Sequence, residues 1–309
     1  MNKENYEIII QQCVEKWSML LEDLDGFKKE QVAILLENQY LFNNRLEETG
    51  PANIERWKRL SIPMVRRTYS DNLFFDIFDL VSFQSLLGPC SLFYWEEAGE
   101  ILSKEWVTRS KRFKTSWNYE SNAYFQLDVE AYFQLDVEVE LASMMSQSIA
   151  LELAREIMTD LRNNAGTDLQ FQKKDGLSGI KKTSNIIESK IGNKANWMIL
   201  GRGSLVDAIC ASPHLDSDSE YDVALGINKI GRMDDVLDIY FDPLYPINEC
   251  LMGFKGNNLQ AGYFYGTYIP FNLLQPTINP YSFCPQRGIM TRYAKSLVNK
   301  DYYAKIKLV

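Results

Sequence analysis

The chain has 309 residues and a formal net charge of −8, with 46% apolar and 24% charged residues. This balance is that of a globular protein and excludes a disordered or collagen-like chain. The acidic pI near 5.0 argues against a tight, sequence-independent grip on nucleic acid, because such binding needs a basic surface.

The N-terminal region, residues 4–48, has the spacing of amphipathic helices. Apolar residues recur there at alternating intervals of three and four, and a second amphipathic stretch follows: Ile10, Cys13, Trp17, Leu20, Leu24 and Phe27, then Val32, Ile34, Leu35 and Leu36. Gly50-Pro51 ends the pattern. Two interpretations fit: a helical arm that needs a partner surface, or a helical pair packed on its own domain.

Residues 101–117 combine positive charge with aromatic side chains. They contain Lys104, Trp106, Arg109, Lys111, Arg112, Phe113, Lys114 and Trp117. Such a stretch fits a nucleic-acid contact, or an extended loop that meets an acidic protein neighbour. The octapeptide AYFQLDVE then occurs twice, at 123–130 and 131–138, and its period of two predicts one long strand. Because eight is even, the duplication keeps each side chain on the same face.

The strongest helix prediction covers residues 139–163. Apolar residues fall at every fourth position, and neither proline nor glycine interrupts them: Leu141, Met145, Ile149, Leu153, Ile157 and Leu161. Further along, we predict a helix at 178–191, a strand at 197–200 and a short helix at 204–210. Strands are predicted at 236–241, 250–254, 263–269 and 289–293, with a C-terminal strand through Lys305 and Lys307.

Few residues offer catalytic or metal-binding chemistry. The five cysteines are scattered without a CxxC pair, so we expect small buried thiols in a reducing compartment rather than disulfides or a zinc site. His214 is the only histidine and lies in a turn-like stretch, so we expect an exposed loop residue. The acidic run at 216–222 lacks the Gly and Glu of a calcium loop. We therefore expect no catalytic residue, no metal and no cofactor.

The C-terminal third contains an ordered series of motifs: Gly253-Phe254-Lys255-Gly256, Ala261-Gly262-Tyr263-Phe264-Tyr265, Tyr268-Ile269-Pro270, then Phe283, Gln286, Gly288 and Thr291-Arg292-Tyr293. This series resembles the terminal signature of the major capsid proteins of T-even-type tailed phages. Blocks at 60–67 and 135–141 are similar to two earlier segments of that family. The resemblance spans residues 53–309 in collinear order. Gln260 and Cys284 depart from the family pattern, and the chain is shorter than the T-even shell protein.

The resemblance implies an α+β protein with the Hong Kong 97-type phage capsid fold. It implies an N-terminal helical arm at 1–62, a first segment of the peripheral domain at 63–96 and an extended loop at 97–137. The peripheral domain with its long spine helix follows at 138–195, the axial domain at 196–275, and a return to the peripheral domain at 276–309. We expect the loop residues Lys104, Trp106, Arg109, Lys111, Arg112, Phe113 and Trp117 to lie over a neighbouring subunit.

The function implied is that of a major capsid protein. Copies would self-assemble as hexamers and pentamers into the icosahedral head shell of a tailed dsDNA bacteriophage, enclosing DNA without sequence-specific binding. Expected partners are other copies of the chain, together with portal, scaffolding and head-completion or decoration proteins, and no membrane. The charged N-terminus lacks a secretory signal, so we expect synthesis in the host bacterial cytoplasm and location in the virion.

Two alternatives stay open at this stage. An encapsulin-like shell would have the same fold but enclose protein cargo, and a carboxylate-based hydrolase would use Asp238 and Asp242. In T-even-type relatives a protease removes an N-terminal segment, cutting after Leu or Ile, any residue, and Glu. The pattern occurs here at 20–22, 35–37 and 46–48. Because the seam of residues 10–27 needs a surface to cover it, we predict a helical arm that is retained.

Overall fold

The computed structural model describes residues 3–24, 26–47, 54–70, 79–82, 90–95, 101–106, 108–116, 137–210, 212, 215–217, 227–256, 260–274 and 277–309. Several predicted features lie outside these residues. They are residues 123–136 of the duplicated strand, His214, and the acidic run beyond residue 217.

Three helices begin the chain. They are α1 (Lys3–Lys16), α2 (Gly26–Glu47) and α3 (Ile54–Ser70), with a 3-10 turn at Ser18–Leu20. The predicted helical region at 4–48 is thereby confirmed. α3 contains Pro63 and runs through the boundary predicted at 62 and 63, so the predicted arm and the segment after it share one helix.

The middle of the chain contains four strands and a long helix. The strands are β1 (Asp79–Ser82), β2 (Cys90–Trp95), β3 (Ile101–Trp106) and β4 (Arg109–Ser116). The helix α4 (Val137–Asn164), hereafter the spine helix, has 28 residues and is about 42 Å long. It confirms the predicted helix at 139–163. Val137 and Glu138 open this helix, so the strand predicted through residue 138 is wrong at its last two residues.

The spine helix buries the apolar stripe that its sequence predicts. Met145, Ile149, Leu153, Ile157 and Leu161 are all buried in the main hydrophobic core. Their four-residue spacing places them on one helix face.

The remaining elements are mostly strands, with two helices among the first four. In order they are β5 (Thr167–Phe171), α5 (Gly176–Ile191), β6 (Trp197–Leu200), α6 (Ser204–Cys210), β7 (Leu215–Ser217), β8 (Asn228–Met233), β9 (Leu237–Phe241), β10 (Glu249–Gly253), β11 (Tyr263–Leu273), β12 (Thr277–Ile278), β13 (Pro285–Leu297) and β14 (Tyr303–Leu308). Each helix and strand predicted between 178 and the C-terminus is present, with ends that differ by a few residues.

Two sheets organise these strands. In the five-stranded sheet β13 lies between β11 and β4, β1 pairs with β11 in parallel, and β12 pairs with the start of β13. The seven-stranded sheet has the order β5-β14-β10-β6-β9-β8-β7, and β2 and β3 form a separate hairpin. The spine helix packs on β13 and β4, α2 packs on β11, and α5 packs on β14.

The sheets divide the chain differently from the predicted segments. β11 falls within the predicted axial domain at 196–275, yet it pairs along its length with β13 from the predicted return segment. β14 falls within that return segment, yet it pairs with β10 and β5 in the seven-stranded sheet. The chain therefore passes from the seven-stranded to the five-stranded sheet near Gly262 and returns near Lys300. Each strand joins the sheet that contains its hydrogen-bonding partners, even where its neighbours in sequence belong to the other sheet.

The cysteines follow the expectation only in part. Cys13 and Cys250 are buried, and burial raises the pKa of these thiols to about 11 and about 12. Cys284 is half-buried and Cys210 is exposed, so the expectation of a buried thiol is wrong for Cys210. Cys210 is exposed because it ends a short helix whose Leu205 and Ile209 face the core instead.

Candidate functional site

The spine helix carries an acidic stripe that faces the five-stranded sheet. Glu152, Glu156 and Asp160 are spaced four residues apart, and this spacing places them on one helix face. Each accepts contacts from cations or tyrosines of the sheet strands. We call this set of contacts the latch, since it joins the helix to β4, β11 and β13.

Lys295 of β13 lies at the centre of the latch. Its Nζ lies 2.5 Å from Glu156 Oε1 and 2.6 Å from Asp160 Oδ2, and only 6% of its side chain is exposed. Tyr293 donates its hydroxyl to Glu156 Oε2 at 2.9 Å, and Tyr263 donates to Asp160 Oδ2 at 2.9 Å. A lysine this deeply buried is stable only when its charge is paired, and here two carboxylates supply the pairing.

β4 joins the same latch from the edge of the sheet. It pairs antiparallel with β13 over eight residues, from Arg109 opposite Tyr293 to Ser116 opposite Gln286. Lys111 Nζ lies 3.1 Å from Glu156 Oε2 and 3.2 Å from Glu152 Oε2, and the Arg109 guanidinium lies 3.6 Å from Glu156. β4 is thereby bound to its own spine helix.

Side chains of β4 alternate between two faces, as the period of a strand requires. Lys111 and Phe113 are half-buried towards the spine helix, whereas Arg112 and Lys114 are exposed on the opposite face. Among the residues that the structure describes, no carboxylate pairs with Arg112. The predicted loop cations therefore fall into two groups, one that binds the spine helix and one that faces outward.

The other predicted loop residues give less information. Lys104 and Trp106 belong to β3, but their side chains lie outside the described residues, as does Trp117 altogether. Their contact with a neighbouring subunit stays a prediction.

The electrostatics of the latch follow from its geometry. Burial by itself raises the pKa of the Glu156 carboxyl, but the hydrogen bonds from Lys295 and the other donors outweigh it. The pKa of Glu156 is consequently lowered from its usual 4.5, and the carboxylate stays charged at neutral pH. Burial and the nearby Asp160 carboxylate both raise the pKa of Tyr263, which stays a neutral donor.

The aromatic signature residues pack the five-stranded sheet. Tyr265 of β11 stacks on Tyr293 of β13, with ring centroids 5.4 Å apart and planes at 25°, and both rings are buried. Tyr268 is buried as well. These tyrosines therefore pack in the core of the subunit.

Other signature residues shape β11 where it bends. The β11–β13 register shifts by one residue between Thr267 and Ile269 and again between Ile269 and Asn272. Pro270 lies in the second irregularity, where a residue without an N–H is tolerated. Thr291 donates its hydroxyl to the carbonyl of Ile269 at 3.0 Å, so that group stays paired within the irregular stretch. Arg292 donates to Thr108 Oγ1 at 3.0 Å, tying β13 to the residue before β4.

Two signature glycines permit close approach. A Cβ on Gly253 would lie 2.3 Å from the Trp197 ring, and one on Gly262 would lie 2.4 Å from the backbone oxygen of Asn299. Gly262 therefore lets the backbone approach Asn299 closely. At Gly256 the nearest atoms belong to the flexible Gln260 side chain, and Lys255 and Ala261 form an isolated antiparallel bridge around this turn.

The spine helix also reaches the seven-stranded sheet. Arg162, near its C-terminal end, binds the buried Glu249 of β10, with Nη2 2.7 Å and Nε 2.8 Å from Oε2. One helix thus connects both sheets by charged contacts, with the latch in its middle and Arg162 at its end.

The carboxylates of the hydrolase hypothesis have structural partners. Asp238 accepts two hydrogen bonds from the Arg232 guanidinium, at 2.8 and 3.1 Å, and lies 3.0 Å from Lys229 Nζ. Burial alone raises the pKa of Asp238, but these cations lower it overall. Asp242 is buried and accepts from the backbone N–H of Leu244 at 2.9 Å, which closes the turn after β9. Burial raises the pKa of Asp242.

The latch residues Lys295 and Asp160 were not singled out from the sequence. The four-residue spacing of the acids on the spine helix was the available signal, but surface helices produce such spacing routinely. Lys295 is separated from them by more than a hundred residues, and its position became clear only from the pairing of β13.

Within the described residues, no helix is long and apolar enough to cross a membrane.

Comparisons with known proteins identify a family and a similar fold. A family model described as major capsid protein Gp23 matches residues 94–308. No curated protein sequence matches the chain. The fold is similar to a chain of the satellite phage P4 procapsid, with 11% identity and a TM-score of 0.50 over 81% of this chain and 98% of that one. It is also similar to the virus-like particle from Pyrococcus furiosus, with 7% identity and a TM-score of 0.50 over 81% and 96%.

Proposed function

Because the chain belongs to the Gp23 family of major capsid proteins, we propose that it adopts the Hong Kong 97-type fold and builds the icosahedral head of a tailed dsDNA phage. It is a major capsid protein, and copies of it form the head shell. The hexamers and pentamers of that shell are part of the proposal. The family match covers the spine helix, β4, the seven-stranded sheet and every strand of the five-stranded sheet except β1.

The latch is the observation that carries the proposal. A shell subunit must keep its two sheets in a fixed arrangement while it binds its neighbours. The spine helix meets this need, because it binds β4 and β13 through Glu156 and binds β10 through Arg162. We propose that the five-stranded sheet with the spine helix forms the peripheral domain and that the seven-stranded sheet forms the axial domain.

We further propose that the extended loop contacts a neighbouring subunit through the outward face of β4. Arg112 is the cation that fits this role, because it is exposed and faces away from the spine helix. Arg109 and Lys111 position the strand by binding Glu156 of their own chain. Lys104, Trp106 and Trp117 remain proposed contacts of the same loop, and Phe113 packs inward against the core.

The proposed role is structural, without catalysis or a cofactor. Copies of the chain would bind one another through apolar burial and charge complementarity. The net charge of −8 suits a shell that encloses DNA without gripping it. Portal, scaffolding and head-completion or decoration proteins are proposed partners, and synthesis in the host bacterial cytoplasm is proposed.

Electron microscopy of the purified chain, with analysis of the particle contents, tests the proposal. We expect closed shells that enclose dsDNA when they are taken from infected cells. Shells filled with a single protein cargo would favour the encapsulin-type alternative. A protein that stays monomeric at all concentrations and hydrolyses a substrate through Asp238 and Asp242 would overturn the proposal.

A further inference from the structure

An uncharged hairpin between β11 and β13 exposes several large apolar side chains. From Leu273 to Gln286 the chain contains no charged residue. Within this stretch Leu274 is 45% exposed, Ile278 64%, Tyr281 95% and Phe283 73%. We call these four residues the apolar tip. Single exposed apolar residues are ordinary on a protein surface, but four within ten residues, two of them aromatic, mark a surface for interaction.

The apolar tip is held rigidly by its own hydrogen bonds. Asn279 organises the turn: its N–H donates to the carbonyl of Cys284 at 3.0 Å, and its carbonyl accepts from the N–H of Phe283 at 2.8 Å. Its side-chain oxygen accepts from the N–H of Tyr281 at 2.9 Å. Pro280 and Pro285 restrict the backbone further. The turn therefore presents its side chains in one arrangement.

Phe283 has a backbone conformation that bulky residues seldom adopt. Its φ is +54°, in the left-handed region where glycine or asparagine is usual. Its ring is 73% exposed, so it buries little surface within the subunit. Strained residues of this kind concentrate at sites of function.

The hairpin that carries the apolar tip begins beside the end of β4, within the predicted extended loop. β4 ends at Ser116, which is paired with Gln286 at the base of the hairpin. On the other side of this pair, the start of β13 leads back through β12 into the hairpin. The hairpin is therefore adjacent to β4, the strand that we propose to contact a neighbouring subunit.

We infer that the apolar tip is a docking surface for a second copy of this chain. The inference rests on the proposed function, because a shell subunit must bury surface against other copies. Aromatic side chains in a rigid, uncharged setting are typical of the residues that dominate interface energies. The absence of charge between residues 273 and 286 disfavours nucleic acid as the occupant, since phosphates require cations.

Paired variants test the inference on the purified chain. The double variant Tyr281→Ser/Phe283→Ser removes both rings, and Tyr281→Phe/Phe283→Tyr keeps the aromatic surface. We expect the serine variant to keep the melting temperature of the unassembled subunit. The protein concentration that it needs for assembly is expected to be at least about tenfold higher than that of the unaltered chain. The aromatic variant is expected to assemble as the unaltered chain does. Normal assembly of the serine variant would overturn the inference.

Photocrosslinking provides a measurement that does not depend on loss of assembly. With p-benzoylphenylalanine at position 281, illuminated shells of the purified chain are expected to give a covalent dimer. Crosslinks confined to single chains in intact shells would overturn the inference while leaving the proposed function in place. If the unaltered chain forms no shells, the proposed function itself fails.

Discussion

The side-chain amide of Gln39 holds both backbone polar groups of Phe271. Its Nε2 donates to the carbonyl oxygen at 3.1 Å, and its Oε1 accepts from the backbone N–H at 3.1 Å. Within the described residues β1 pairs with β11 as far as Thr267, and α2 contacts the backbone of β11 further along. Asn38 adds a hydrogen bond to the carbonyl of Thr267 at 3.2 Å.

Replacing Gln39 by leucine tests this contact. Leucine keeps most of the volume but leaves the buried N–H and C=O of Phe271 without partners, so we expect the free energy of unfolding to fall by about 2–4 kcal/mol. Denaturant unfolding of the unassembled subunit measures this change in unfolding free energy. Gln11→Leu, on an exposed position of α1, is the matched control and is expected to change stability by less than about 0.5 kcal/mol. Equal effects of the two changes would contradict the assigned role.

The latch makes the stability of the subunit depend on pH. The pKa of Glu156 in the folded subunit is lower than the usual 4.5, so its contribution is complete above that value and is lost as the pH falls through the folded pKa. We expect Glu156→Gln to be less stable than the unaltered subunit at neutral pH, with a difference that shrinks below about pH 4.5. Urea unfolding across pH 3–7 measures this. A difference that is independent of pH would exclude the ionised Glu156 as its source.

Tyr265 is expected to be important for the subunit itself. Tyr265→Ala removes a buried ring stacked on Tyr293, so we expect a loss of about 3–5 kcal/mol in unfolding free energy. Thermal unfolding of the unassembled subunit is the measurement. Tyr281→Ala, at a ring that is almost fully exposed, provides the comparison and is expected to leave the melting temperature unchanged. A stable Tyr265→Ala subunit that failed only in binding a small molecule would contradict this role.

Charge reversal separates the two faces of β4. Lys111→Glu places a carboxylate against Glu152 and Glu156, so we expect it to destabilise the unassembled subunit by about 1–2 kcal/mol. Arg112→Glu is expected to leave that stability within about 0.5 kcal/mol of the unaltered chain but to reduce the yield of shells. Thermal unfolding and electron microscopy of the same preparations distinguish the effects. If Arg112→Glu assembles at normal yield, the outward face of β4 is not the contact surface.

The N-terminal helices are expected to remain on the subunit in mature particles. The pattern at 35–37 lies in α2, where Leu35 and Leu36 are fully buried and Glu37 Oε2 lies 2.8 Å from Lys16 Nζ. A protease needs an accessible, extended segment, so cleavage after Glu37 is blocked in the folded subunit. Mass spectrometry of purified particles checks this. A subunit that begins at residue 23, 38 or 49 would contradict this prediction, since one or both of the first two helices would then be removed in whole or in part.

Local sequence patterns were enough to predict α1, α2, the spine helix, α5, α6 and six of the fourteen described strands, but not α3. The spine helix follows from a stripe at every fourth position, and α1 and α2 follow from spacings of three and four. These patterns are reliable because a helix buries one face whatever covers it, so the signal lies within a short stretch of chain. The signature motifs around Gly262 and Tyr265 carried the family resemblance in the same way, through neighbouring residues.

What covers each buried face was decided only by the tertiary structure. Lys295 meets Asp160 across 135 positions, and Gln39 meets Phe271 across 232. The position of β14 in the seven-stranded sheet likewise depends on a distant pairing, since Ala304 pairs with Thr167 of β5. Periodicity tells which side of a segment is buried but not its partner, since that choice depends on the combined packing of all segments. The two roles of Lys111 and Arg112, adjacent and alike in charge, were therefore indistinguishable until β4 was paired with β13.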